Sequence, residues 1–496
     1  MRVFEGFLLA WSSLVIHVFA SPQLQVENRP LLHRDRDANS STLLPPPSAD
    51  PWFQPPADWQ LKTPGSVLKV RKSPYSNITI ANCIDTFQVQ YRTTDTHNNA
   101  SWAVSTQFIP ASHAKCNATH PELCAHGIVS YEIPYDSADP DATPGYLLQW
   151  GEPYGEMSDL LARGWFVSVP DYEGPLSSYC AGVQAGHATL DSVRAVLQVA
   201  GDFGLRTADA RAALWGYSGG AMATEFAAEL AGSYTPDLKL AGVVEGGTAP
   251  NITTVGKLMN GKDTAGLLVA GLVGITSQHT EARQYILSRL KNSGPYNITG
   301  FLNATNMSGV QALVNYMYQD VYKYFLGGES DLDSKILTDM YNQDAVMGYH
   351  GTPNMPMFIY KAISDEMSAV NETDALVDSF CKQGANILYH RNSIGGHNQE
   401  LWQGRHRALD FLAEVLDGTN GTNVTSGIEI PQKGCLVKNV TVAVTVKVVN
   451  GSIVVNPVNV TVLSNGTVTL TPARRYVEGA RLRNMLDVLG FARGLF

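Results

Sequence analysis

Five consecutive residues, Gly216-Tyr217-Ser218-Gly219-Gly220, carry the strongest chemical signal in this 496-residue chain. A serine hydroxyl is a weak nucleophile, so it acts only where a base lies within hydrogen-bond reach and a tight turn presents it. Glycines on both sides of Ser218 permit a strained strand-to-helix turn in which larger side chains would collide. The next amide, that of Gly219, then faces an oxyanion developing near the start of the following helix. With 44 glycines in the chain, a G-x-S-x-G match arises by chance at roughly one serine in a hundred, so alone it is also compatible with a structural turn. Context argues for a nucleophile: a short apolar run precedes the motif and small helix formers follow it.

In an α/β-hydrolase fold the acid and the histidine follow the serine in chain order, each leaving the carboxyl end of a strand. Asp365 meets that condition, because 356–360 (Pro-Met-Phe-Ile-Tyr) reads as a buried strand. Its carboxylate would fix the imidazole tautomer and stabilise the positive charge. Glu366 is the neighbouring competitor, Asp344 comes before the strand, and a turn or helix-cap aspartate is the plain alternative. His397 sits in Gly395-Gly396-His397-Asn398, beyond a strand expected at 385–390. His390 falls at that strand's end and His350 precedes the strand bearing Asp365; a surface-loop histidine is the alternative here. Three independent matches agree in order. The chemistry they imply is acyl transfer from an ester through a covalent intermediate, with no metal and no organic cofactor.

The elements that must position these groups alternate between strand and helix from about residue 127. Short apolar strands are expected at 127–131, 165–169, 212–215, 238–244, 356–362 and 385–390, with helices at 191–200, 221–230 and 405–416. Such alternation marks a mostly parallel sheet. Regularity breaks between about 251 and 351, where helices are expected at 282–290 and 310–324 beside an apolar segment, 267–275. An insertion of that size between two strands forms a cap over their carboxyl ends. The expected fold class is therefore α/β: an α/β-hydrolase fold with a mostly parallel central sheet, a helical cap insertion and a small C-terminal β-rich appendage. The expected segments are a signal peptide at 1–20, an irregular proline-rich leader at 21–75, core at 76–250 with a β-rich stretch at 78–110, cap at 251–351, core again at 352–430 and an extension at 431–496. Within that extension, 440–470 alternates Val with Thr around hairpin turns at Asn450-Gly451 and Asn465-Gly466, and a helix is expected at 477–489.

Composition narrows the setting. A formal charge of −10 and the lack of any basic stripe argue against nucleic acid as a partner. Arg2 followed by the apolar run 7–20 reads as a secretory signal too short to span a membrane, so the chain is expected to be secreted and to have no transmembrane segment. Sequons begin at Asn39, Asn77, Asn99, Asn117, Asn251, Asn297, Asn303, Asn306, Asn371, Asn420, Asn423, Asn439, Asn450, Asn459 and Asn465. Their density supports export and predicts surface positions. Six cysteines, Cys83, Cys116, Cys124, Cys180, Cys381 and Cys435, allow fifteen pairings. Cys116 with Cys124 would close a local loop, and Cys381 with Cys435 would pin the chain beyond the catalytic domain. Their spacings do not suggest a metal site.

At these residues the chain resembles the fungal secretory lipase family (lipase-A type) within the α/β-hydrolases, over roughly 51–434. The resemblance rests on the serine pentapeptide, on Ser130-Tyr131 with Tyr135-Asp136-Ser137, on Ser364-Asp365-Glu366 and on Gly395-Gly396-His397, together with the cap. It implies that Asp136 and Gly219 form the oxyanion hole. A carboxyl group donates only when protonated, which needs an apolar setting; otherwise the Asp136 amide donates and the side chain orders the loop. Hydrolysis of acylglycerols is also implied, with the acyl chain under the cap and transient contact with a lipid interface. Apolar residues at 267–275 are available for that contact, or simply for packing the cap on its own domain. Two departures stand out: the β-rich tail is longer than the family core requires, and 137–145 contains no cysteine to tether the loop. Competing functions are an esterase or acyltransferase for short-chain or specialised esters, and a glycosylated hydrolase-fold binding protein without catalysis.

Overall fold

Short strands made of β-branched and aromatic residues alternate their side chains between two faces, and here both faces are covered. A computed structural model describes residues 44–73, 80–115, 125–417, 428–431, 433–449, 452–462 and 468–472. Its main sheet holds β1 (Val67–Lys72), β2 (Cys83–Thr94), β3 (Ala100–Pro110), β4 (Gly127–Glu132), β5 (Phe166–Pro170), β6 (Arg211–Tyr217), β7 (Leu240–Gly246), β8 (Met357–Ala362), β9 (Ile387–Asn392) and β10 (Cys435–Val440). Their spatial order is β1-β2-β3-β5-β4-β6-β7-β8-β9-β10. From β5 to β10 neighbours run parallel, and β1 to β3 form an antiparallel flank.

The helices that matter for the site are α1 (Glu156–Ala162), α2 (Gly182–Val199), α3 (Gly219–Tyr234), α4 (Ile252–Met259), α5 (Ala265–Thr276), α6 (Thr280–Arg289), α7 (Gly309–Tyr316), α8 (Lys335–Asp344), α9 (Val370–Lys382) and α10 (His397–Asp417). Adjacent strand residues divide between the two faces as the pleat requires. Ile128, Leu214 and Val243 point to one side, where Val193 and Val196 of α2 and Phe226 of α3 pack. Val129, Trp215 and Val244 point to the other, against Leu160 of α1 and Leu409 and Leu412 of α10. A parallel sheet sandwiched in this way reads as continuous apolar runs, which is why the strands are legible.

Between β7 and β8 the chain runs through α4 to α8. Buried cap residues such as Val269, Leu272, Phe301 and Leu337 belong to the same apolar cluster as α2 and α3, so the cap is packed as core rather than as a loose flap.

Several expectations differ from what is observed. The leader expected to be irregular up to residue 75 supplies β1, whose Val67 and Val70 pair with Tyr91 and Val89 of β2; the strand fits into the gap between Pro64 and Pro74, hidden by prolines on both sides. Helix α2 starts nine residues before the expected 191, and α10 eight residues before 405. The tail is not wholly an appendage: β10 joins the main sheet parallel to β9, from Cys435 opposite Ile387 to Val440 opposite Asn392. A disulfide joins Cys435 to Cys381 in α9, with Cα atoms 5.7 Å apart. Among the described residues of the tail, β11 (Val442–Val449), β12 (Ser452–Val462) and β13 (Val468–Pro472) form a separate antiparallel sheet. The signal segment 1–20, Cys116, Cys124, both expected hairpin turns and the helix expected at 477–489 lie outside the described residues. Asn99, Asn303, Asn306, Asn371 and Asn439 are exposed, whereas Asn251 and Asn297 are half-buried and spend their side-chain oxygens capping helices.

Candidate active site

Strand β6 runs straight into α3, and Ser218 is the hinge between them. Its backbone takes φ 54° and ψ −118°, a left-handed conformation that costs a non-glycine residue about 1–3 kcal/mol and persists only where its surroundings enforce it. Two constraints do so. The Ser218 amide donates to the Gly246 carbonyl at 2.9 Å. The turn is also too tight for side chains, since a Cβ on Gly216 would lie 2.2 Å from the Gly220 oxygen, and one on Gly220 1.9 Å from the Glu132 oxygen.

His397 is the first residue of α10, and its imidazole bridges two partners. Nε2 is 2.8 Å from Ser218 Oγ, and Nδ1 is 2.8 Å from Asp365 Oδ2. The ring is held from several sides. The His397 amide donates to Glu366 Oε2 at 2.9 Å, and its carbonyl accepts from the Tyr217 hydroxyl at 2.6 Å. Gly247 leaves room for the ring, because a Cβ there would come within 2.9 Å of His397 Cε1.

Asp365 leaves β8 and is buried. Its Oδ1 accepts from the amides of Met367 and Ser368, both at 2.9 Å. Its Oδ2 takes both His397 Nδ1 and the Lys361 ammonium, the latter at 3.0 Å. Burial alone would raise this carboxyl; the His397 hydrogen bond, then Lys361 and the Ser368 amide, outweigh it and hold it well below the ordinary carboxylate range.

Asp136 follows β4 at φ 47°. Its Oδ1 is buried with no hydrogen-bond partner, and it occupies the space a Cβ on Gly219 would need, 2.0 Å away. Burial lifts its carboxyl to about 7. The cap closes over this loop: a Cβ on Gly309 of α7 would meet the Tyr135 oxygen at 2.6 Å, and Ser137 Oγ donates to the Met307 carbonyl at 3.1 Å. Burial first, and the nearby Asp136 charge second, push the Tyr179 and Cys180 groups upward. Those two residues wall a cavity of about 250 Å³ that the cap lines with, among others, Ile252, Val255, Leu268 and Leu272.

The competing residues have other partners. Glu366 caps the His397 amide. Asp344 accepts from Thr96 Oγ1, the Val183 amide and His279. His390 lies against Arg407 and is pushed down to about 3, by burial first and by that guanidinium second. His350 stands beside Glu229. Lys361 escaped the sequence reading, although a lysine inside the apolar run Met-Phe-Ile-Tyr-Lys-Ala is the anomaly that could have flagged it. Among the described residues no group of three or more His, Cys, Asp or Glu is arranged to hold a metal ion. No described helix is long and apolar enough to cross a membrane.

A family model described as Secretory lipase matches residues 154–424. The Trichothecene C-3 esterase of Fusarium sporotrichioides is 41% identical over 416 residues, covering 82% of this chain and 90% of its own. Lipase A of Arthroderma benhamiae is 34% identical, covering 75% of this chain and 80% of its own. The crystal structure of Candida antarctica lipase A in its closed state matches with a TM-score of 0.66 at 27% identity, covering 79% of this chain and 92% of that one.

Proposed function

The chain belongs to the secretory lipase family of carboxylic ester hydrolases, and from that premise we propose that Ser218, His397 and Asp365 form its catalytic triad and that the scissile acyl group lies under the cap. The observation that carries this reading is the continuous hydrogen-bonded path from Ser218 Oγ through the imidazole to Asp365 Oδ2, with both links at 2.8 Å. A neutral imidazole takes the Ser218 proton as Oγ adds to the ester carbonyl, and returns it to the departing alcohol. Water, activated by the same nitrogen, then releases the acid. The oxyanion faces the Gly219 amide, which as the first amide of α3 has no partner within its helix. The second donor is Asp136, through its carboxyl group when protonated or through its own amide.

An acylglycerol is the substrate class that membership of this family supports; the cap cavity offers it the apolar side chains of Leu267, Leu268, Leu272 and Ile275, interleaved with polar ones such as Asn251, Lys257 and Asp333. A second reading, an esterase for a specialised ester such as a trichothecene C-3 ester, is favoured by the 41% identity to the Trichothecene C-3 esterase. Export through the 1–20 signal, and transient contact with a lipid interface, complete the proposal.

The test is a chain-length profile with p-nitrophenyl esters and triglyceride emulsions, run beside a trichothecene C-3 ester and with Ser218→Ala in parallel. Expected are fluorophosphonate labelling of the wild type, none in Ser218→Ala, and turnover reduced by about 10³-fold or more in the variant. A folded wild type that takes no label would return the chain to a binding role. Turnover confined to the trichothecene C-3 ester would select the second substrate class.

A further inference from the structure

We infer that Lys361 is a positioning residue: its buried ammonium ties the carboxylate facing His397 to the backbone at the root of the cap, and so sets the strength of the base that serves Ser218. The inference rests on the reading of Ser218, His397 and Asp365 as a catalytic triad.

The observations are geometric. The side chains of Lys361 and Asp365 are both 0% exposed. Lys361 Nζ donates to Asp365 Oδ2 at 3.0 Å and to the Thr248 carbonyl at 2.8 Å. Thr248 stands between β7 and α4, where the chain enters the cap, and its carbonyl also receives the hydroxyls of Ser368 and Thr373. One ammonium therefore joins the loop after β8 to the loop after β7. The neighbouring residues Gly246 and Gly247 meet the Ser218 amide and the His397 ring respectively. A lysine buried this deeply is expensive to keep charged, and burial does pull it below its ordinary value while Asp365 pulls the other way. Packing alone would be served as well by methionine.

Sharing matters because Lys361 and His397 approach the same oxygen, Oδ2. A cation on that oxygen weakens the negative potential that Asp365 presents to the imidazole. The other groups facing the pair are acidic or phenolic: Glu372 and Asp374 on α9, Glu366 on the Asp365 loop, Glu400 on α10, Glu245 beside Thr248, and Tyr217 and Tyr360. Glu400 has its own cation in Arg407, at 2.5 Å. Among the described residues, Lys361 is the one ammonium or guanidinium group bonded to Asp365.

The experiment compares wild type, Lys361→Met, Asp365→Asn and the double variant by thermal melting, fluorophosphonate labelling and the pH dependence of kcat and KM on p-nitrophenyl esters. In Lys361→Met we expect kcat to fall by about tenfold or more with KM within about threefold, and the acid limb of kcat/KM to move up by about one pH unit. Packing loss would not move that limb. Each single variant should melt earlier than wild type, and the double should lose less than the sum, because it leaves no unpaired charge. If Lys361→Met does not fold, a double variant that folds supports the inference and one that fails equally overturns it. A wild-type kcat and acid limb in Lys361→Met, or additive losses in melting, would also overturn it. Wild type without label or turnover counts against the triad itself, while the melting cycle still decides whether Lys361 holds Asp365.

Discussion

At the scale of single residues, two carboxyl groups at this site are driven in opposite directions by their surroundings. Asp365 has hydrogen-bond donors on both oxygens and stays ionised, while Asp136 has a buried oxygen with none and is lifted to about 7. In the proposed mechanism this difference divides the labour: an anion to support an imidazolium, and an acid able to donate to an oxyanion. If the Asp136 carboxyl is the donor, kcat/KM falls as pH rises past about 7, where loss of its proton turns a donor into a repelling charge. Asp136→Asn, a donor at every pH, should then lose that alkaline limb while staying within about tenfold of wild type at pH 6. A wild-type profile that is flat to pH 9 would assign donation to the Asp136 amide instead. Nothing in the sequence around Asp136 separates this role from that of a turn residue; only family likeness singles it out.

Among the elements, helices are less legible than strands because glycine serves two ends. Helix α2 begins at Gly182 rather than at the expected 191, since Gly182 and Gly186 are where α3 presses closest. A Cβ on Gly186 would sit 2.8 Å from the Phe226 carbonyl carbon and 2.9 Å from the Ala227 nitrogen, both backbone atoms that cannot move alone. Gly186→Ala should therefore cost about 1–3 kcal/mol by overpacking, read as a lower denaturant midpoint at unchanged slope. Gly201→Ala is the control: its Cβ meets only a Thr207 methyl at 3.5 Å, and a neutral or slightly stabilising effect is expected. Equal losses at both positions would refute the packing argument. A glycine that weakens helix propensity in a peptide is here what lets two helices approach.

At the scale of the whole molecule, the described residues include many buried acids. Burial raises Glu132 to about 8, and Asp171, Glu152 and Asp136 to about 7. The adjacent Glu225 and Glu245 are pushed up by burial as well, and Glu225 further by the Glu245 charge. For each of these the folded value lies above the unfolded one, so the unfolded chain releases its protons first as pH rises. Their contribution to stability is whole below about 4 and is lost progressively as pH passes through about 7 to 8. Asp365 acts in the opposite sense, and its contribution is lost only in strong acid. His187, His390 and His406, lowered by burial to about 4, 3 and 3, oppose the acids over the same interval; the six raised acids outnumber them, so Tm should be higher at pH 5 than at pH 8. A melting temperature that rises over that interval would mean these carboxylates ionise in the folded state at no cost.

Read alone, the amino-acid order determined the parallel sheet and pointed to the proposed nucleophile and the chain order of its proposed partners, because buried strands must be apolar, a serine at a sharp strand-to-helix turn needs flanking glycines, and both demands are local. It could not determine which acid and which histidine close on Ser218. That choice is made by strands β6 and β8 and helix α10, which bring residues 147 and 179 positions away to within hydrogen-bond distance of one another. Nor could it place β1 and β10 at the sheet edges, since pairing depends on the neighbour and not on the strand itself. Lys361 belongs to the same category. A charge inside an apolar strand is visible in the sequence, but its meaning depends on the oxygen atoms that tertiary folding places around it.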